Sequence, residues 1–114
     1  MIAATPIKED PVHARLIEFS GAKADKREQI IQTVQETVIP MLRQYDGFTG
    51  YLALYDAEKG RAKAIILWEN EEAAKSAEET LADRRRQISG GMGMTIESED
   101  LYEAAVVELE GARV

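Results

Sequence analysis

From Val12 onward the apolar positions change period in a definite order. VHARLIEFS, residues 12 to 20, is short, apolar-rich and closed by Gly21, which predicts a first strand. In DKREQIIQTVQETVIPMLRQY that follows, Ile30, Ile31, Val34, Val38, Met41, Leu42 and Tyr45 recur at spacings of three and four, the apolar stripe of a helix. Asp25 with Glu28 matches a capping box at its start. Pro40 lacks an amide donor and predicts a kink or a distorted last turn. Asp46-Gly47 ends the helix, and FTGYLALY, DAEKG and RAKAIILWE then read as strand, hairpin connection with Gly60, and antiparallel partner. Asn70 caps a second helix, with Glu71 and Glu72 in its first turn and a narrow seam of Ala73, Ala74, Ala77 and Leu81. A last strand is expected at about residues 101 to 109.

This β-α-β-β-α-β order predicts an α+β, ferredoxin-like fold: a four-stranded antiparallel sheet with both helices on one face. The domain is expected over residues 12–110, after an arm over 1–11 containing Pro6 and Pro11 and before a tail over 111–114. Strand positions of both parities are apolar. Phe48, Leu52 and Leu54 alternate with Tyr51, Ala53 and Tyr55, and Ala64, Ile66 and Trp68 alternate with Ile65 and Leu67. A sheet with helices on one face only would leave such residues in water, so a homodimer with sheets facing each other in an α/β barrel is expected.

Composition narrows the chemistry. The 114 residues, 45% hydrophobic and 31% charged, suit one globular domain with little room for a deep private pocket. Without cysteine there is no disulfide, thiolate nucleophile or thiolate metal site. No apolar run approaches the roughly 18 to 20 residues of a membrane span, and no signal-peptide pattern opens the chain; no membrane partner and a cytoplasmic location are the expectations. The net charge of −7 argues against nucleic acid as a partner.

One stretch invites a different reading: RRRQISGGMGMT, residues 84 to 95. A phosphate cradle follows a strand and opens a helix, whereas these glycines follow a helix and precede a strand. They are expected to stop the helix, with Gly90 or Gly91 as C-cap, the arginines solvated in the last turn, and a mobile lip beyond. Met92 and Met94 are candidates to fold over a pocket mouth near Trp68. His13, the only histidine, is a weak candidate for proton transfer with Tyr51 or Tyr55, and is otherwise a surface or interface residue. The aromatic side chains read either as core and interface or as the lining of a pocket for a flat organic ligand, with Trp68 and Tyr51 foremost. A lone histidine cannot build a metal site, and no metal or cofactor is expected.

Residues 39 to 74, IPMLRQYDGFTGYLALYDAEKGRAKAIILWENEEAA, resemble the antibiotic biosynthesis monooxygenase group of dimeric α/β-barrel proteins through Pro40, Gly47, Phe48, Tyr51, Trp68 and Glu72. With the strand order, the resemblance extends over about residues 12 to 109. It implies a ligand pocket between helices and sheet, lined by a first-strand asparagine and a tryptophan ending the third strand. Trp68 matches the tryptophan, while the only asparagine is Asn70. Haem-degrading relatives place an iron-binding histidine on the second helix, where this chain has Ala77 and Glu78. The resemblance thus implies a small-molecule-binding dimer or a cofactor-independent monooxygenase, and less readily a haem-degrading enzyme.

Overall fold

The computed structural model describes residues 11–111. Strand β1 (His13–Ser20) is followed by a 3-10 turn (Ala24–Lys26), helix α1 (Arg27–Thr33), a π-turn (Val34–Val38) and helix α2 (Ile39–Leu42). Strands β2 (Phe48–Asp56) and β3 (Arg61–Trp68), helix α3 (Glu71–Gly91) and strand β4 (Thr95–Glu103) complete the domain. All neighbouring strands are antiparallel and their spatial order is β2-β3-β1-β4, the expected ferredoxin-like sheet.

Register decides which side chains meet the helices. Ile17, Ala64, Ile66 and Trp68 lie on the covered face and join Leu42, Ala74, Ala77 and Leu81 in the main core. The two alanines of α3 let its backbone sit close to the strands. Trp68 is 1% exposed, with Tyr45 and Phe48 edge-on at ring centroids 6.4 and 6.0 Å away. A second cluster, Ala22, Ile30, Met92 and Met94, closes the other end. On the opposite face Leu52, Leu54 and Tyr102 are exposed, and Leu16, Ile65 and Leu67 are half-buried.

Phe48 was expected beside Leu52 and Leu54. Instead Phe48 pairs with Trp68 and Gly50 with Leu67, so one extra residue in β2 moves Phe48 to the covered face. Asn70 caps α3 as expected, its side-chain oxygen accepting from the Ala73 amide at 2.8 Å. The capping box expected from Asp25 and Glu28 does not form; the chain enters α1 through the 3-10 turn without a side-chain cap. The distortion expected from Pro40 lies just upstream, as the π-turn. In an unbroken helix of 3.6 residues per turn, residues four apart drift around the axis. The wider turn offsets that drift, so Ile30, Val34, Val38 and Leu42 stay toward the sheet side.

Three expectations about the C-terminal third are corrected. Helix α3 continues through Gly90 and Gly91, and the left-handed residue is Gly93, at φ +75°. The Gly93 amide donates to Gly90 O at 3.0 Å and the Met94 amide to Ser89 O at 2.9 Å, a Schellman stop two to three residues later than expected and not a mobile lip. The arginines therefore lie before the last turn rather than in it. The last strand spans 95–103 rather than 101–109, sharing only three residues with the expectation. Beyond it Val106, Val107 and Leu109 are exposed. The arm expected over residues 1–11 falls, apart from Pro11, outside the described residues, as do tail residues 112–114.

Gly47 joins the two halves. Its φ is +88°, its carbonyl accepts from the Glu69 amide at 2.8 Å, and an added Cβ would lie 2.6 Å from Ala73 Cβ. Gly47→Ala therefore combines backbone strain with a steric clash against the start of α3. Urea unfolding is expected to show a loss of roughly 2–4 kcal/mol, against a negligible change for a substitution at an unconstrained surface site.

Candidate functional site

The floor of the covered face changes along β2 and β3. Near Trp68 it is built from large side chains, but toward the hairpin Ala53 pairs with Ala64 and Tyr55 with Ala62. Small residues there leave depth beneath the first helical segment, whose Ile30, Val34 and Val38 form the facing wall. The result is a cavity of about 540 Å³ between that segment, the sheet and the C-terminal half of α3. Its lining is mostly apolar, a common pattern in small-molecule sites.

Tyr51, Tyr55, Met92 and Met94 all line it. Among the described residues the Tyr51 hydroxyl has no hydrogen-bond partner. Burial pushes the Tyr51 phenol up to about 12, with the nearby Arg85 charge acting in the opposite direction. At neutral pH it is a hydrogen-bond donor and not a base. The Tyr55 hydroxyl is already engaged, donating to Lys23 O at 2.6 Å. Met92 and Met94 are buried walls packed against Ala22 and Ile30, and they belong to a different cluster from Trp68.

Trp68 and His13 lie elsewhere. Neither lines the cavity, and they face each other across the β1–β3 ladder at the far end of the sheet. Trp68 is enclosed by core and does not line this cavity, whereas its family position implies a pocket wall. His13 is 9% exposed, its Nδ1 lying 3.0 Å from Pro11 O. It is not brought to Tyr51 or Tyr55.

The polar feature that the sequence reading missed is Arg85, expected in a solvated helical end. It falls on the apolar seam of α3 with Ala74, Ala77 and Leu81, and lines the cavity. A charge at a seam position was the available signal. Its Nη1 donates to Glu78 Oε2 and to Glu99 Oε2, both at 2.8 Å, and its Nη2 donates to Glu78 Oε1 at 2.8 Å. Arg15 Nε, buried and without a hydrogen-bond partner among the described residues, lies 3.5 Å from Glu78 Oε1. Burial works against the charge on Arg85, but its bonds to Glu78 and Glu99 outweigh that and hold the guanidinium charged more firmly than usual. Burial would likewise raise the Glu78 carboxyl, yet the Arg85 hydrogen bond and charge, with Arg15 and Arg86, carry it below the ordinary range. The flanking arginines stay outside: Arg84 is exposed and Arg86 pairs with Asp83.

The residues present do not fit a haem. No histidine lines the cavity, Ala77 is core, and Glu78 is committed to two arginines. Among the described residues no group of His, Asp or Glu is arranged to hold a metal ion.

A depressed carboxylate contributes stability that is present above its unfolded value, near 4.5, and is lost as pH falls through its folded value. Wild type is therefore expected to lose stability between pH 5 and 3 more steeply than Glu78→Gln, measured by urea unfolding at each pH. Arg85→Met, which strands two partly buried carboxylates, is expected to cost about 3 kcal/mol at pH 7.

At the level of sequence, no family model and no curated protein matches the chain. Solved structures do. A monooxygenase from Streptomyces coelicolor, from the gene ActVA-Orf6 and in complex with nanaomycin D, superposes with a TM-score of 0.63 at 10% identity, covering 89% of this chain and 94% of that one. A proposed antibiotic biosynthesis monooxygenase from Deinococcus radiodurans gives 0.62 at 19% identity, over 88% and 99%. A protein of unknown function from Nitrosomonas europaea gives 0.61 at 11% identity, over 91% and 100%. The β2-β3-β1-β4 sheet with its helices on one face is thus the fold of the antibiotic biosynthesis monooxygenase structures.

Proposed function

We propose that this protein is a dimeric small-molecule binder whose ligand, a flat and mainly apolar organic compound, occupies the cavity between the first helical segment and the sheet. The observation that carries this reading is a space of about 540 Å³ with a mostly apolar lining that includes Tyr51, whose hydroxyl has no hydrogen-bond partner among the described residues. Burying an aromatic ligand there is favoured at roughly 25 cal/mol for each Å² removed from water. The Streptomyces monooxygenase that shares the fold holds nanaomycin D, which supports a ligand of this general kind. That same likeness favours a second reading, a cofactor-independent monooxygenase acting on the bound compound.

The second copy is assigned to the open face of the sheet. Leu52 and Leu54, 45% and 46% exposed, stand beside Leu16, Ile65 and Leu67 with no helix over them. Burying that face twice over removes a patch that a monomer would leave in water. Among the described residues no helix is long and apolar enough to cross a membrane, so a bilayer-spanning helix does not account for it.

Titration with a panel of bicyclic aromatics, followed calorimetrically, tests the cavity. Ala64→Phe, which fills the floor, is expected to weaken binding by at least about tenfold while the protein stays folded, because the ligand's apolar contacts are displaced. Binding that survives this substitution refutes the reading. An oxygen electrode run on the compounds that bind separates the two activities: consumption that stops in Ala64→Phe supports the monooxygenase, and binding without consumption supports the binder. Sedimentation is expected to give twice the 12.7 kDa chain mass for wild type and the single mass for the double variant Leu52→Glu, Leu54→Glu.

A further inference from the structure

Of the three basic residues that line the cavity, Arg27, Lys63 and Arg85, only Arg85 is largely buried, and its charge is already met. Arg85 touches the cavity, whereas Glu78 and Glu99, which hold it, do not. Three of its N–H groups already point at carboxylate oxygens. Arg15 adds a second cation against Glu78, so two guanidinium groups meet two carboxylates and the group is neutral as a whole. The other basic side chains nearby do not alter this balance. Arg27 and Lys63 also line the cavity, but Arg27 is exposed, so that water and salt screen it, and Lys63 is half-exposed and pairs with Glu18 across the open face at 3.8 Å.

A ligand carboxylate entering this space would lose its hydration, and the buried cation it meets, Arg85, is already committed, while Arg27 stays in water. It would also approach the Glu99 carboxylate across one guanidinium. A neutral ligand with a carbonyl oxygen meets neither cost, and it can accept the hydrogen of the Tyr51 hydroxyl, which has no partner among the described residues. We propose that Glu99 is a specificity residue: by completing a neutral group with Arg15, Glu78 and Arg85, it sets the cavity to take uncharged aromatic ligands bearing an acceptor oxygen and to reject aromatic carboxylates. This deepens the ligand-cavity reading above and rests on it. Glu99 acts through Arg85 and not by touching the ligand, so its effect must appear as a change in preference between ligands.

Three probes of one ring system separate the contributions: naphthalene, 1-acetonaphthone and 1-naphthoate, each titrated at pH 7 into wild type, Tyr51→Phe and Glu99→Gln. Wild type is expected to bind acetonaphthone about five- to tenfold more tightly than naphthalene, the gain of one hydrogen bond, and naphthoate at least about tenfold more weakly than acetonaphthone. Tyr51→Phe is expected to erase the margin between acetonaphthone and naphthalene. Glu99→Gln leaves the group of Arg15, Glu78 and Arg85 with one uncompensated positive charge and is expected to raise naphthoate affinity while leaving naphthalene unchanged. Naphthoate binding to wild type as tightly as acetonaphthone overturns the inference by itself, even if Glu99→Gln does not fold, while naphthalene binding in the same series leaves the cavity reading intact. Failure of all three probes to bind overturns both.

Discussion

A guanidinium in the seam of a core helix is tolerated only if its charge is met, and the position of Arg85 imposes that requirement on everything around it. Glu78, seven residues earlier on α3, supplies both of its oxygens. Glu99 supplies the other contact from β4, opposite Ile17 in β1, which puts it on the covered face. The irregularity between Glu18 and Phe19 adds one residue to β4, so that Glu99 and Ile96 both face the helices although three residues apart. One ion group thus joins α3, β1 and β4, and it fixes the wall of the cavity on that side. Removing a partner would leave a buried charge uncompensated, which costs far more than the intact group contributes.

The other wall follows from size and not charge. Helix α3 lies close to the sheet because its seam is alanine-rich, while the first helical segment presents Ile30, Val34 and Val38 toward a floor that is alanine at Ala62 and Ala64. Branched side chains facing alanines fill less of the gap than leucines or aromatics would. The π-turn keeps those residues aligned along the wall, and the second cluster around Met92 and Met94 shuts the end. The space is therefore a consequence of where this sequence spends its volume: tryptophan and phenylalanine near one end of the sheet, alanine near the other.

Much of this was legible in the sequence. The spacing of Ile30, Val34 and Val38, the Asn70 cap and the DAEKG hairpin placed the elements in order, and strand apolarity on both parities marked the open face. What was not legible depended on contacts across the chain. The last strand starts at Thr95 and not at 101, and Glu99 within it meets Arg85 fourteen residues away, a contact that only the fold shows. Gly90 and Gly91 looked like a stop, but helix propagation carried on to Gly93, where a positive φ was required. Trp68 drew attention as a pocket residue by family position, whereas the extra residue in β2 brings Phe48 over it and seals it in the core. Arg85 was hidden in a basic run, its two neighbours facing water as the run suggested.

In the proposed complex, ligand lies between the first helical segment and the alanine floor, beside a neutralised Arg85. A crystal structure of the protein with 1-acetonaphthone tests it most directly. The ring system is expected over Ala62 and Ala64 with its carbonyl oxygen about 3 Å from the Tyr51 hydroxyl, and Arg85 still bound to Glu78 and Glu99. A ring seated instead on the open face of the sheet, or Arg85 released from Glu99 to reach the ligand, would contradict it.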